Sequence, residues 1–314
     1  MSADPGSASH SRPDIPGDRL RGIPLDRLGA PQAAAAARLI TTGAVYDLDC
    51  GRWPGMPQAA GHPPLQLLNY RTPRGLRIQR DQQWLGENSA EIGWQSELMS
   101  STSHTGTHID ALSHITSGPE QRWFGDSSPD EHLGDFGPRT YDAASLPPIF
   151  TRGVLLDVPA ALGLDSTAGA TALPAHHRIT PAELQLTLER QRTEIHPGDA
   201  VLVRTGYLSA WPDEQRLAEH VDAGIDLDAA RVLVDAGAVV VGSDAESLEC
   251  LPSPDPANPL PVHTELLTRR GIPILELVYL EQLARDAIYE FAFVCLPLKI
   301  HGATGSMVRP IAVR

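Results

Sequence analysis

Residues 104–114 read His-Thr-Gly-Thr-His-Ile-Asp-Ala-Leu-Ser-His, which places three of the twelve histidines and one carboxylate in a single short stretch. On a helix, His104 and His108 would share a face and Asp110 would point away. In an extended chain, positions 104, 106, 108 and 110 all face one side. Position 106 is glycine, which leaves room on that face for an ion between the imidazoles, and Thr105 and Thr107 favour the extended form. The spacing therefore predicts an extended segment in which His104, His108 and Asp110 converge on one metal ion. Such a string can also arise by chance among twelve histidines; the glycine on the ligand face and the nearby His114 favour the site.

Two nitrogens and one oxygen, with no sulfur, suit Zn²⁺, Mn²⁺ or Fe²⁺ better than Ca²⁺ or Mg²⁺. Three protein ligands leave positions open for water and substrate, the pattern of a catalytic rather than a closed structural site. An ion held this way polarises a carbonyl and lowers the pKa of its water toward ~7. His114 has the parity of the ligands but lies four residues beyond Asp110, which along a strand is ~13 Å. A turn through Ala111-Leu112-Ser113 would return it beside the ion, where an imidazole with a pKa near ~6.5 suits proton transfer.

The elements that must position these groups read as an α/β chain. Residues 1 to about 30 are rich in Ser, Pro, Gly, Asp and Arg and read as a loose arm. Pro31–Ile40, with its run of alanines, reads as a short helix stopped by Gly43. Val45–Asp49 reads as a first strand and residues 51–75 as a long loop. Gly153–Val158, Asp199–Arg204, Ala238–Val241, Ile272–Leu277, Phe291–Leu296 and Val308–Val313 read as further strands. Thr180-Pro181-Ala182-Glu183 is a helix start with a capping box, and the helix should run to Arg192. Asp228–Ala236 and His263–Arg270 read as helices ended by Gly237 and Gly271. Strands alternating with helices predict a mixed, partly parallel sheet.

The motif at 104–114 resembles the HxGTHxDxPxH signature of the cyclase family of metal-dependent hydrolases, which includes bacterial kynurenine formamidases and isatin hydrolases. Leu112-Ser113 departs from it where the family often has proline. Weaker similarity extends over residues 45–314: Gly153–Asp157, Arg204-Thr-Gly-Tyr207, Gly242-Ser-Asp244 with Ser247-Leu248, and Gly305-Ser306 with Arg309. The resemblance implies a swivelling β/α/β-type single domain over residues 41–314, preceded by an arm at residues 1–40, and assembly as a homodimer or homotetramer. It also implies a late His and Glu near the metal, here His263 and Glu276. Glu276, set among apolar neighbours, needs a partner in any case, because a bare buried carboxylate is costly. Trp123 and Phe124 resemble the family's loop after the motif and are candidates to stack on a planar substrate.

The function expected is hydrolysis of a C–N amide bond, in an aryl formamide or a cyclic amide such as isatin, with a Zn²⁺ or Mn²⁺ cofactor and His114 moving the proton. The alternatives are a metal-dependent cyclase of polyketide or other secondary metabolism and a non-catalytic metal-binding protein. Asp244, His301 and Arg309 are lesser candidates for the pocket, Arg309 being better read as an ion-pair partner; His176 and His177 read as exposed. The net charge of -14 argues against a nucleic-acid or anionic-membrane surface and says nothing direct about substrate; the resemblance implies a small-molecule substrate. Cys50, Cys250 and Cys295 contain no CxxC pair and offer neither a disulfide framework nor a thiolate site. The chain shows no apolar run of membrane-spanning length and no signal-peptide pattern, so a cytoplasmic location is expected.

Overall fold

A computed structural model describes residues 22–80, 86–164 and 172–314. Its centre is a nine-stranded mixed sheet. The strands needed below are β1 (Val45–Asp47), β2 (Gln66–Arg71), β3 (Ser96–Ser100), β4 (His108–Asp110), β5 (Ile149–Asp157), β6 (Ala200–Arg204), β7 (Val240–Ser243), β8 (Ile274–Glu276), β9 (Glu290–Cys295), β10 (Gly305–Met307) and β11 (Ile311–Val313). The order across the sheet is β1-β11-β9-β5-β6-β7-β8-β4-β10, and β2 and β3 stand apart as a two-stranded hairpin. Strands β5 to β8 are parallel. They are apolar and almost wholly buried, as strands covered on both faces must be. The outer pairings, β9 with β5 and β4 with both β8 and β10, are antiparallel.

Helices cover the sheet where the sequence places caps. In Pro181–Gln191, Thr180 accepts the Glu183 N–H while Glu183 accepts back from Thr180, so two of the helix's free donors are satisfied. Leu227–Asp235 starts one residue before the expected Asp228 and is capped by the Asp226 carboxylate. The segment 261–270 differs from expectation. It makes one α turn at Pro261–His263 and continues as a π-helix over Thr264–Arg270, stopped at Gly271 with φ +65.

The helix Ala30–Ala37 packs on β5 and β9. Just before it, Ile23 and Leu25 are buried in the main core, so the expected loose arm is built into the domain from Ile23 onward. The part of that arm at residues 1–21 lies outside the described residues. The long loop expected at 51–75 instead contains β2 and the start of the helix Pro73–Gln79. Every residue from Gln66 to Tyr70 is exposed, so no alternation of apolar and polar positions marks the strand in the sequence. Among the described residues, no helix is long and apolar enough to cross a membrane.

Candidate metal centre

Register places the first groups. In β4, Ile109 is buried in the core while His108 and Asp110 share the opposite face. Strand β8 pairs antiparallel with β4 so that Glu276 lies opposite His108. One face of two adjacent strands thus carries His108, Asp110 and Glu276 before any loop contributes.

His104 arrives differently from the extended segment expected. Only His108–Asp110 is strand, and the chain bends through residues 103–107. Gly106 has φ +59, a left-handed conformation that favours glycine. A Cβ there would meet Arg52 Cγ at 3.1 Å and the Gly51 carbonyl at 3.2 Å, so this glycine makes room for the chain at Arg52 and not for an ion. Arg52 then holds the bend by donating to the carbonyls of Thr105 and Thr107. A second glycine does serve the imidazole: a Cβ on Gly305, opposite Asp110 in β10, would lie 2.6 Å from His104 Cε1. Gly305→Ala should therefore displace the His104 ring and weaken metal binding by about 10–100-fold, the cost typical of lost ligand orientation. Metal titration of the folded variant checks this, and unchanged affinity would show that the ring can shift freely.

The structure brings five of the expected residues together. His104 Nδ1 lies 2.7 Å from Asp110 Oδ1, and His108 Nε2 lies 3.4 Å from the same oxygen and 3.2 Å from Glu276 Oε2. His263 Nε2 lies 3.2 Å from Glu276 Oε1 and 3.8 Å from Asp110 Oδ2. Two groups of potential ligands result, His104–His108–Asp110 and Asp110–His263–Glu276, with Asp110 common to both. Within each group the ligand atoms all lie within 4.8 Å of one another, and every residue is buried.

The outer contacts fix which nitrogen faces inward. His108 Nδ1 donates to the Gly106 carbonyl at 2.8 Å, and His263 Nδ1 donates to Glu249 at 2.5 Å, so each ring turns Nε2 toward the carboxylates. With His104 Nε2 held at 3.0 Å by Thr304 Oγ1, its Nδ1 faces Asp110. That nitrogen and both Asp110 oxygens are buried without a hydrogen-bond partner. Ring nitrogens and carboxylate oxygens this close need a cation, a proton or a metal ion, between them, and a buried carboxylate without one is costly. A cation relieves both, so the donor set fits a divalent ion.

In the metal-free protein a proton is the cation available. Burial alone would depress the His108 pKa, but Asp110 and Glu276 overcome it and push it up to about 10. Contacts with His108 and His263 outweigh burial and the repulsion of Asp110 at Glu276, and bring its pKa down to about 2. His108, raised above its ordinary 6.5, contributes stability that is complete below that pH and is lost as pH rises through 10. Chelated protein should therefore melt at progressively lower temperature between those values. Metal-loaded protein, in which the ion has replaced the proton, should not follow that decline. Thermal melts of both forms across this range provide the check; parallel curves would exclude His108 as the protonated group.

His114 does turn back, its N–H bonding the Ala111 carbonyl at 3.0 Å. Its ring stacks on His104 at 4.1 Å between centroids, with Nε2 4.0 Å from Asp110 Oδ2. Burial lowers its pKa despite the pull of Asp110, so it is neutral at pH 7 and partly open to solvent. Phe124 packs edge-on to Tyr141 and against Gly271 at the core, and Trp123 is buried. Asp244 accepts from the Thr205 N–H and hydroxyl and the Gly206 N–H, which makes it the holder of that turn. Arg309 pairs with Asp47, and the exposed His301 lies 3.8 Å from Asp142.

Three contributors escape the sequence reading. His62 stacks on His104 at 5.5 Å from the expected long loop. Thr304 directly precedes the Gly305-Ser306 segment, and its hydroxyl carries no local signal of a role beside His104. Glu249, fully buried, accepts from the Val262 and His263 N–H groups as well as from the His263 ring, so it caps a helix start and orients an imidazole at once. Its only sequence signal is a charge directly after Ser247-Leu248.

A mixed α/β sheet with a buried, two-part His/Asp/Glu centre defines a candidate metalloenzyme. The family model described as "Putative cyclase" matches residues 39–250, and the chain belongs to that family. A kynurenine formamidase from Salinibacter ruber is 28% identical over 227 residues, covering 72% of this chain and 81% of its own length. A solved structure described as a novel cyclase superposes with a TM-score of 0.78 at 28% identity, covering 95% of this chain and 97% of that one. Isatin hydrolase A from Labrenzia aggregata shares the fold at a TM-score of 0.58 and 19% identity, covering 86% and 93% of the two chains.

Proposed function

We propose that the chain is a divalent-metal-dependent hydrolase of a C–N amide bond, in an aryl formamide or a cyclic amide. The observation that carries this reading is the buried Asp110 carboxylate, without a hydrogen-bond partner and common to two groups of ligand atoms. The similarity to a kynurenine formamidase supports the choice of bond. His104, His108 and Asp110 would hold one ion, and Asp110, His263 and Glu276 a second. The nitrogen and oxygen donors suit Zn²⁺ or Mn²⁺. A bound ion supplies polarisation of the scissile carbonyl and a more acidic water.

The chain's own residues supply the rest. His114, neutral and beside Asp110, takes a proton from water at Nε2 and returns it to the leaving nitrogen. Glu249 and the Gly106 carbonyl keep His263 and His108 turned inward. His62, whose pKa is lowered by burial and by His104 and His108, stands beside the centre as a neutral ring.

The test is metal analysis of the purified protein with a screen of N-formyl anilides, isatin and related cyclic amides. Ring opening or deformylation that is lost on chelation and restored by Zn²⁺ or Mn²⁺ is expected. Full turnover in metal-free protein would reject the reading, and turnover only of linear precursors to ring-closed products would replace hydrolysis by cyclisation.

A further inference from the structure

Beside the metal centre lies a cavity of about 230 Å³, and none of the residues lining it belongs to the two ligand groups. A short backbone ladder builds one wall. Gly224-Ile225 pairs with Arg178-Ile179 on one side, and Ile225 bridges to Glu249 on the other. Ile225 and Val262 give the wall buried apolar surface. At the packing density of a protein interior, a space of this size holds about ten non-hydrogen atoms.

The charges around the cavity do not cancel one another. Arg178, half-buried, makes no hydrogen bond or ion pair with any described residue. Asp226 accepts the Ala229 N–H at one oxygen, and Asp255 accepts the Ala257 N–H at one oxygen. The other two charges are engaged: Arg269 pairs with Glu265 at 3.3 Å, and Glu249 accepts from Val262 and His263. A guanidinium and two carboxylates thus border one apolar-walled space without meeting. A lone anion would be repelled by the carboxylates and a lone cation by the guanidinium, whereas a molecule carrying both charges can match each with its opposite.

We propose that this cavity binds a small zwitterion, an α-amino acid with an apolar side chain, and that its occupancy is coupled to the metal centre. Arg178 takes the carboxylate, Asp226 and Asp255 face the ammonium, and Ile225 and Val262 meet the side chain. The coupling runs through the element that carries His263. Val262 stands in the wall directly before His263, and both of their N–H groups bond Glu249, which lines the cavity and also holds the His263 ring. Arg269, near the end of the π-helix that follows His263, returns to the same cavity. A ligand there touches both ends of the segment that presents His263. Whatever steadies that segment for the ion steadies the wall for the ligand, so the two bindings favour each other by the same factor. The inference rests on the metal centre and not on the reaction proposed above.

The test is calorimetric titration of leucine, methionine and phenylalanine into the full chain, metal-loaded and metal-free, with metal content measured on each sample. At least one should bind, and the loaded protein should bind it ~5–150-fold more tightly, the usual range of such couplings. The amine-free acid and the acid-free amine with the same side chain, isocaproate and isoamylamine in the case of leucine, should each bind at least ~10-fold more weakly, because each leaves one charged pairing unmade. R178Q, shown to be folded by circular dichroism and to carry the wild-type metal content, should weaken the amino acid by ~10-fold or more. That loss separates this cavity from direct chelation of the ion by the amino acid. No binding at ~1 mM, affinity unchanged in R178Q, a single-charge analogue that binds as well as its amino acid, or equal affinity with and without metal would each overturn the proposal.

Discussion

Asp110→Asn is expected to abolish metal loading at both ligand groups. The carboxylate is fully buried, contributes one oxygen toward His104 and His108 and the other toward His263, and is common to both groups. An amide keeps the shape but removes the charge and points two N–H donors into a site built of lone pairs. Loss of an outer partner alone costs ~10–100-fold in metal affinity, so loss of the shared ligand should exceed ~100-fold. The readouts are metal content after dialysis and the rise in melting temperature on adding Zn²⁺ or Mn²⁺, which should vanish in the variant. A variant that retains metal and its stabilisation would show that Asp110 is not a ligand. Circular dichroism on the same sample separates lost metal from lost fold.

His114→Ala should have the opposite signature, with metal retained and turnover reduced by ~10²–10⁴-fold, the usual contribution of a positioned acid–base group. The ring lies against His104 and near Asp110 but belongs to neither ligand group. Because burial holds its pKa below the ordinary value, the wild-type rate should fall on the acid side as His114 protonates. That limb should disappear in the variant. Metal content, turnover and pH profile measured together decide the role. Near-normal turnover with metal intact rejects proton transfer by His114, whereas loss of metal makes it a ligand.

The sequence announces the centre unevenly, and the reasons are physical. His104, His108, Asp110 and His114 are visible because one short segment supplies all four. Strand parity places only His108 and Asp110 on one face, whereas His104 is placed by a left-handed bend at Gly106 and by the gap at Gly305. Glu276 shows itself as a charge among buried neighbours, but its partnership with His108 depends on strand register, which no local pattern encodes. Glu249 and Thr304 are invisible because their meaning comes wholly from what the fold sets beside them. The buried parallel strands stand out as short apolar runs, and Thr180 announces its helix through the capping box. Strands β2 and β3 do not stand out, since a hairpin exposed on both faces leaves no period to read.

The position of β4 has a consequence for how the chain is made. It lies between β8 and β10, so its neighbours on both sides come from the last part of the sequence. Gly305, the partner of Asp110 in β10, follows it by about 195 residues. At ordinary synthesis rates of ~5–20 residues per second, that separation is roughly 10–40 s. For most of that interval, until Ile274–Glu276 is made, the segment 104–114 exists with neither flanking strand, and two imidazoles and a carboxylate are already close together in it. Ions can meet these groups while the sheet is still incomplete, and any affinity of the unfolded chain for the ion reduces the stabilisation that binding gives the folded one. The centre closes only when β8 and β10 arrive, long after the segment that supplies most of its ligands has been made.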